Sequence, residues 1–302
     1  MDGKISNQME IASLRRYIMK DGVGAGLEVI DCDNGNIRFL INVSKAADIM
    51  QLYHKGQNMS FVSKNGFIKQ ELNFDRQFEG GMLYTCGLDS LGDREGYATH
   101  GTVHNIPAQI TRAICDGDGI CVEAVIRDTA IFGKNLVLRR RIFTAILSDT
   151  VSVEDTLINE GYRDEEYCIL YHVNIGYPML DDGARIVADT EACVPRTPWA
   201  AENESTAFIM ETPIANFEEC CYFLSLRSPR VSLVNERISK TFTVEYSADK
   251  LPCFVEWKSR ASGDFALGLE PCTSELDGGF KYRNIAPGEK IKFKVDIAVN
   301  DN

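Results

Sequence analysis

The chain is short of most features that would mark its function at once. No stretch of its 302 residues approaches the roughly eighteen apolar residues of a membrane helix, so no membrane span is expected. The opening MDGKISNQMEIASLRRYIMK has neither an apolar core nor a cleavage pattern, so no secretion signal is expected and the cytoplasm is the predicted compartment. No CxxC pair occurs among the ten cysteines, and Cys220 and Cys221 are adjacent; this reads as reduced thiols rather than a zinc site. Positive charge is scarce too. Lys and Arg number 32 against 44 Asp and Glu, a formal charge of −12 that argues against a nucleic-acid partner gripped through its phosphates. There is no P-loop, no GxSxG elbow and no HExxH pattern. GVGAG, Gly22 to Gly26, has Leu27 where a dinucleotide fingerprint requires glycine, and LEVIDCDNGNIRFLINV after it reads as a hairpin; these glycines are turns. No organic cofactor and no metal is called for.

Helical periodicity is equally scarce. EIASLRRYIMK, with Ile11, Leu14 and Ile18, predicts one short amphipathic helix. Strand signals run from end to end instead. In KIKFKVDIAV, Ile291, Phe293, Val295, Ile297 and Val299 alternate with Lys, Lys, Asp and Ala, which places one row in a core and the other in solvent. KTFTVEYSA, NIRFLINV, GICVEAVIR, NLVLRRRIFTAIL, TVSVEDTLIN, YCILYHVNI and ECCYFLSLR also read as strands, separated by DCDNGN, DGDG, NEGYRDEE, DDGAR, ASGD and APGEK. Many strands with turn chemistry between them predict an all-β sandwich or barrel. With no long linker and no repeat, one domain over 1–302 is the economical reading.

Three of the four histidines and one late glutamate carry the chemical interest. In YCILYHVNIGY, Ile169, Tyr171, Val173, Ile175 and Tyr177 form an apolar row, while Cys168, Leu170, His172, Asn174 and Gly176 form a row that turns polar toward its end. In DFALGLEP, Phe265, Leu267 and Leu269 face one way; Asp264, Ala266, Gly268 and Glu270 face the other. Ala and Gly beside Glu270 leave the sheet bare enough for a ligand to approach closely. A carboxyl desolvated there would be raised toward the range useful to a general base. The bland readings are a satisfied structural histidine and an edge glutamate in solvent. In HGTVHNIPA, His100 and His104 are four apart, but Gly101, β-branched Thr102 and Val103, and Pro107 predict a loop or extended segment rather than a metal-gripping helix.

Five segments in order, AADIMQLYHKG, GGMLYTCGLDS, HGTVHNIPA, YHVNIGYPMLDDG and FALGLEP, together resemble the galactose mutarotase-like superfamily, in particular its aldose 1-epimerase branch. The resemblance covers most of the chain. It implies a large antiparallel β-supersandwich in one domain, no cofactor and a small-molecule carbohydrate as partner. It implies His172 as general acid, Glu270 as general base and His100 as a second histidine near the sugar ring oxygen. His104 and Asn105 would flank the cleft, and Arg76 would match an arginine that binds sugar hydroxyls; Asn174, by its place on the polar row beside His172, would line the same cleft. Thr102 stands where the branch has arginine, and KAADI where it has Arg-Gly-Leu-Asp-Ile, so the hydroxyl-reading residues differ while the proton-transfer pair is retained. A non-catalytic sugar-binding sandwich, and an isomerase or epimerase acting at another carbon, would use the same cleft.

Overall fold

In the computed structural model, which describes residues 3–302, the strand signals become eighteen strands in two antiparallel sheets. Ser13–Ile18, Glu28–Asp33, Ile37–Asn42, Asp48–His54 and Gln57–Asn58 form a five-stranded sheet in that order. The second sheet has 13 strands. Its path runs through Glu165–Ile175, Asp264–Cys272, Cys253–Ala261 and Cys220–Asn235, and passes Asn135–Ala145 and Gly119–Thr129 to end at Gln109–Cys115.

Period-two alternation explains the packing between the sheets. Phe293, Val295, Ile297 and Val299 are buried while Lys292 and Lys294 face out, and each buried aromatic or aliphatic side chain of this kind stabilises by about 1.5–3 kcal/mol. One apolar cluster joins both sheets: Ile30, Phe39 and Leu52 from the smaller meet Val122, Leu138, Val173, Leu269 and Phe293 from the larger. A satellite cluster lies on the opposite face of the larger sheet, where Tyr84, Cys86, Cys168, Leu170, Cys221 and Cys272 pack together.

Two sequence expectations are corrected. The segment expected as a helix is a 3-10 turn, Gln8–Glu10, followed by the strand Ser13–Ile18. Its backbone groups are claimed by Glu28–Asp33 in the register Ser13↔Asp33 to Ile18↔Glu28, and only Leu14 of the expected helical stripe packs on the core; Ile18 is exposed. Tyr177 is not in the core row either. The strand stops at Ile175, and Tyr177 is exposed beyond it. The other expected strands form, and Gly22–Gly24 is a turn.

Buried charge stitches the sheets together. Arg140 lies in NLVLRRRIFTA on the core side of its strand, with no exposed surface. Its guanidinium forks onto Asp155 at 2.9 and 2.7 Å, bonds Thr85 Oγ1 at 2.8 Å and the Ala46 carbonyl at 3.1 Å, and pairs with Asp48. Tyr171 donates to the same Asp155 at 2.8 Å. Burying such a cluster is tolerable because nearly every lone pair and N–H in it has a partner.

Candidate active site

Antiparallel register brings His172 and Glu270 together. The pairs Asn174↔Gly268 and Leu170↔Cys272 bracket them as cross-strand neighbours, whose Cβ atoms lie about 4.5–5.5 Å apart. His172 Nε2 and Glu270 Oε1 are 3.1 Å apart, in contact but not aligned as a hydrogen bond. Both side chains are almost wholly buried, at 4% and 2% exposure. The strand of Glu270 does not end before Pro271: it runs to Cys272 in the interior of the sheet, which is why the carboxyl is buried rather than in solvent at an edge.

Gly268 makes this arrangement possible. A Cβ there would overlap Glu270 Oε1 and lie 2.9 Å from His172 Cε1 and 3.2 Å from Nδ1. Trp257 is its register partner on the other side, and across the bare backbone the indole reaches the His172 ring edge-on, centroids 5.5 Å apart. Tyr84 is the partner of His172 on the remaining side, and Phe78 roofs both, with centroids 5.3 Å from Tyr84 and 5.5 Å from His172.

His100 reaches the same place from a loop. Its backbone is left-handed (φ 61°), pinned by its N–H to Gly92 O at 2.8 Å and by Gly87 N–H to its own carbonyl at 2.9 Å. Gly101 is needed next to it, since a side chain there would overlap the Gly87 carbonyl and come within 2.7 Å of Asp89 Oδ1. The His100 and His172 rings meet edge-on at 5.7 Å, and Phe74 lies 5.1 Å from His100.

These groups line a cleft of about 710 Å³, whose walls include Phe61, Phe78, Asp93, Arg196, Glu219 and Trp257. Burial, with Glu219 adding repulsion, pushes the Glu270 carboxyl well above its ordinary range. Burial, with His100 adding to it, pulls His172 well below the ordinary imidazole value, and burial with the nearby Arg196 takes His100 down to about 4. An unperturbed histidine does not describe His172. Burial thus favours the neutral form of each group, a carboxylic acid beside a neutral imidazole. A groove of about 640 Å³ elsewhere, lined by Arg139, Arg141, Lys292 and Lys294 with Glu123 and Glu154, holds no such pair.

The remaining sequence candidates lie elsewhere. His104 sits in the 3-10 turn Val103–Asn105, behind Tyr84, stacked on its ring at 3.7 Å and bonded through Nδ1 to Asp48 at 2.7 Å. Burial opposes its protonation, but the bond to Asp48 and the Glu79 carboxylate 3.6 Å from Nε2 outweigh burial and raise it above the ordinary value. Asn105 accepts from Lys45 Nζ at 2.6 Å, and Asn174 is buried, donating to the His172 carbonyl at 3.0 Å. None of these three lines the cleft. Arg76 is exposed on the short helix Phe74–Gln77; the arginine in the cleft wall is Arg196. Arg196, Glu219 and Trp257 were not singled out from sequence. The alternation in CFVEWKSRA, which puts Val255 and Trp257 on one face, is the one signal that pointed to any of them. Among the described residues no group of three or more His, Cys, Asp or Glu side chains is placed to hold a metal ion, and no helix is long and apolar enough to cross a membrane.

The family described as Domain of unknown function (DUF4432) matches residues 24–299. No curated protein matches. Among solved structures, the chain resembles a "putative aldose 1-epimerase" from Klebsiella pneumoniae, with TM-score 0.85 and 17% identity over 95% of this chain and 83% of that one. It also resembles galactose mutarotase-like proteins from Clostridium acetobutylicum (TM-score 0.70, 14% identity, 97% of this chain and all of that one) and Lactobacillus casei (0.63, 12%, 90% and 100%). At these identities the likeness carries the fold, a galactose mutarotase-like β-sandwich.

Proposed function

The chain belongs to the DUF4432 family, and for this member we propose an aldose 1-epimerase-like activity that interconverts the anomers of a sugar in the cleft floored by His172 and Glu270. The observation that carries the reading is the 3.1 Å contact between two buried groups that burial drives to their neutral forms. Mutarotation needs one group to give a proton to the ring oxygen while another takes the proton of the anomeric hydroxyl. The C1–O5 bond breaks, the C1–C2 bond rotates, and closure on the other face of the carbonyl reverses both transfers. A pair with one mobile proton and one vacant site does this in either direction. Protonated His172 at the ring oxygen with ionised Glu270 at the hydroxyl, the order that family resemblance implies, is the same pair with its proton moved across the contact. Plain binding has no need of a carboxyl whose ionisation the site opposes.

Trp257 and Phe78 supply apolar faces for a sugar ring, and the cleft volume accommodates a monosaccharide. All ten cysteines are free thiols, which supports placing the activity in a reducing compartment such as the cytoplasm. The test is NMR saturation transfer between α and β anomers across a panel of aldoses and ketoses. Exchange accelerated for a sugar, and lost in Glu270→Gln, supports the reading. Line broadening without acceleration moves it to a sugar-binding protein.

A further inference from the structure

Two side chains in the cleft wall, Arg196 and Glu219, are not the groups between which the proton moves, although Glu219 repels the Glu270 carboxylate. They stand at the two ends of one excursion of the chain: Arg185–Pro195 stops just before Arg196, and Cys220–Asn235 starts just after Glu219. Between them the helix Pro198–Glu202 and the turn Glu204–Thr206 are pegged to the back of the sheet. Buried Lys258 donates to the carbonyls of Thr206, Ala207 (3.2 Å) and Ile209 (3.3 Å), and the Tyr222 hydroxyl donates to the Ala200 carbonyl at 3.2 Å.

Each cleft residue is then fixed a second time by a partner of its own. Asp277 takes Arg196 Nε and Nη2 at 2.5 and 2.7 Å, which leaves Nη1 outside the fork. Trp257 Nε1 donates to Glu219 Oε2 at 2.6 Å, which leaves Oε1 outside that bond. An N–H donor and a carboxylate acceptor, each held by a partner of its own, therefore line the same cleft as the indole. A sugar hydroxyl both donates and accepts, so a pair of them meets such a wall without leaving either group unpaired. Asp277 balances the guanidinium, so the wall offers directed bonds rather than net positive charge.

We infer that Arg196 and Glu219 are the specificity-determining wall of this cleft, reading hydroxyl groups of the sugar, with Asp277 as the positioning residue for Arg196. This rests on the acid–base reading of His172 and Glu270. The experiment measures anomer exchange for the aldose turned over fastest and for its 2-, 3-, 4- and 6-deoxy analogues, in wild type, Arg196→Met, Glu219→Gln and Asp277→Asn. Glu219→Gln keeps an acceptor for Trp257, and thermal melting checks that each variant folds. KM should rise about tenfold to hundredfold in Arg196→Met, the size of a hydrogen bond to a charged group, while kcat falls less than about threefold. Asp277→Asn should give a smaller rise. For one deoxy analogue, Arg196→Met should make no further difference.

If kcat falls at unchanged KM in all three variants, the two residues act only through the ionisation of Glu270 and the inference is overturned; a pH profile that shifts in Glu219→Gln alongside a raised KM is the repulsion on Glu270 and leaves the wall standing. Equal losses for the parent sugar and every analogue overturn it too. If the wild type accelerates no sugar, the acid–base reading has failed, and the wall is judged by quenching of tryptophan fluorescence with the same sugars. Quenching that needs tenfold more sugar in Arg196→Met supports it; equal quenching, or none, does not.

Discussion

Replacing Gly268 with alanine adds one methyl group and should cost most of the activity. Its backbone is not in the left-handed region, so alanine is conformationally allowed and the effect is one of space. The new Cβ would overlap Glu270 Oε1 and crowd His172 Cε1 at 2.9 Å. Relief requires the carboxylate to swing away by roughly 1 Å, since carbon–oxygen contacts settle near 3.4 Å or beyond. Overpacking of this kind costs about 1–3 kcal/mol of stability, so the protein folds with a melting temperature lowered by a few degrees. A reacting group misplaced by ~1 Å loses about a hundredfold in rate. Saturation-transfer NMR at saturating sugar reads kcat, and calorimetry reads the melting temperature. A Gly268→Ala protein that is destabilised yet retains kcat within about threefold would refute the claim that the His172–Glu270 contact is the working geometry.

His172→Asn and Glu270→Gln should each lower kcat by about 100- to 10,000-fold with folding intact, measured by the same exchange assay; unaltered turnover in both sinks the pair. Because Glu270 is raised, the folded state holds a proton that the unfolded chain has released above pH 4.5, so this group destabilises as pH rises past 4.5. Glu270→Gln should therefore melt higher than wild type at pH 7 and no higher at pH 4, by scanning calorimetry. Activity should form a bell, with an acid limb below 6.5 from His172 and an alkaline limb well above 4.5 from Glu270, both properties of the pair. Arg140→Met strands Asp48 and Asp155 without their cation in the core and should cost about 3–5 kcal/mol in denaturant unfolding.

The sequence was most legible where a period-two pattern decides the outcome. Ile291 to Val299 lie buried in one row as their alternation requires, and the same rule put His172 and Glu270 on faces away from the core. It also misled. Ile11, Leu14 and Ile18 fit a helical stripe, but the segment is too short to outweigh the hydrogen bonds that Glu28–Asp33 offers it. Arg140 shares its row with Leu136, Leu138 and Ile142, but the partners that make its burial tolerable, Asp48, Thr85 and Asp155, arrive from other strands. Arg196 was illegible for a similar reason. TEACVPRTPWA has no motif, and its place in the wall depends on the order in which strands enter the sheet and on a loop contact with Asp277. Arg76 was nominated by resemblance alone, and no local pattern distinguished it from other surface arginines.

The position of the glutamate strand has a consequence for how this protein is made. Asp264–Cys272 lies between Glu165–Ile175 and Cys253–Ala261, so the histidine leaves the ribosome long before the strand that completes its surroundings. Until then Glu165–Ile175 keeps an open edge of apolar residues, a template for pairing with any other unfinished chain. A message cut short before codon 264 would yield no partly active product, only a chain with that edge uncovered. That strand completes the surroundings of the histidine, while the sheet itself stays in two parts until Lys290–Asp301 enters between Lys240–Tyr246 and Thr150–Asn159.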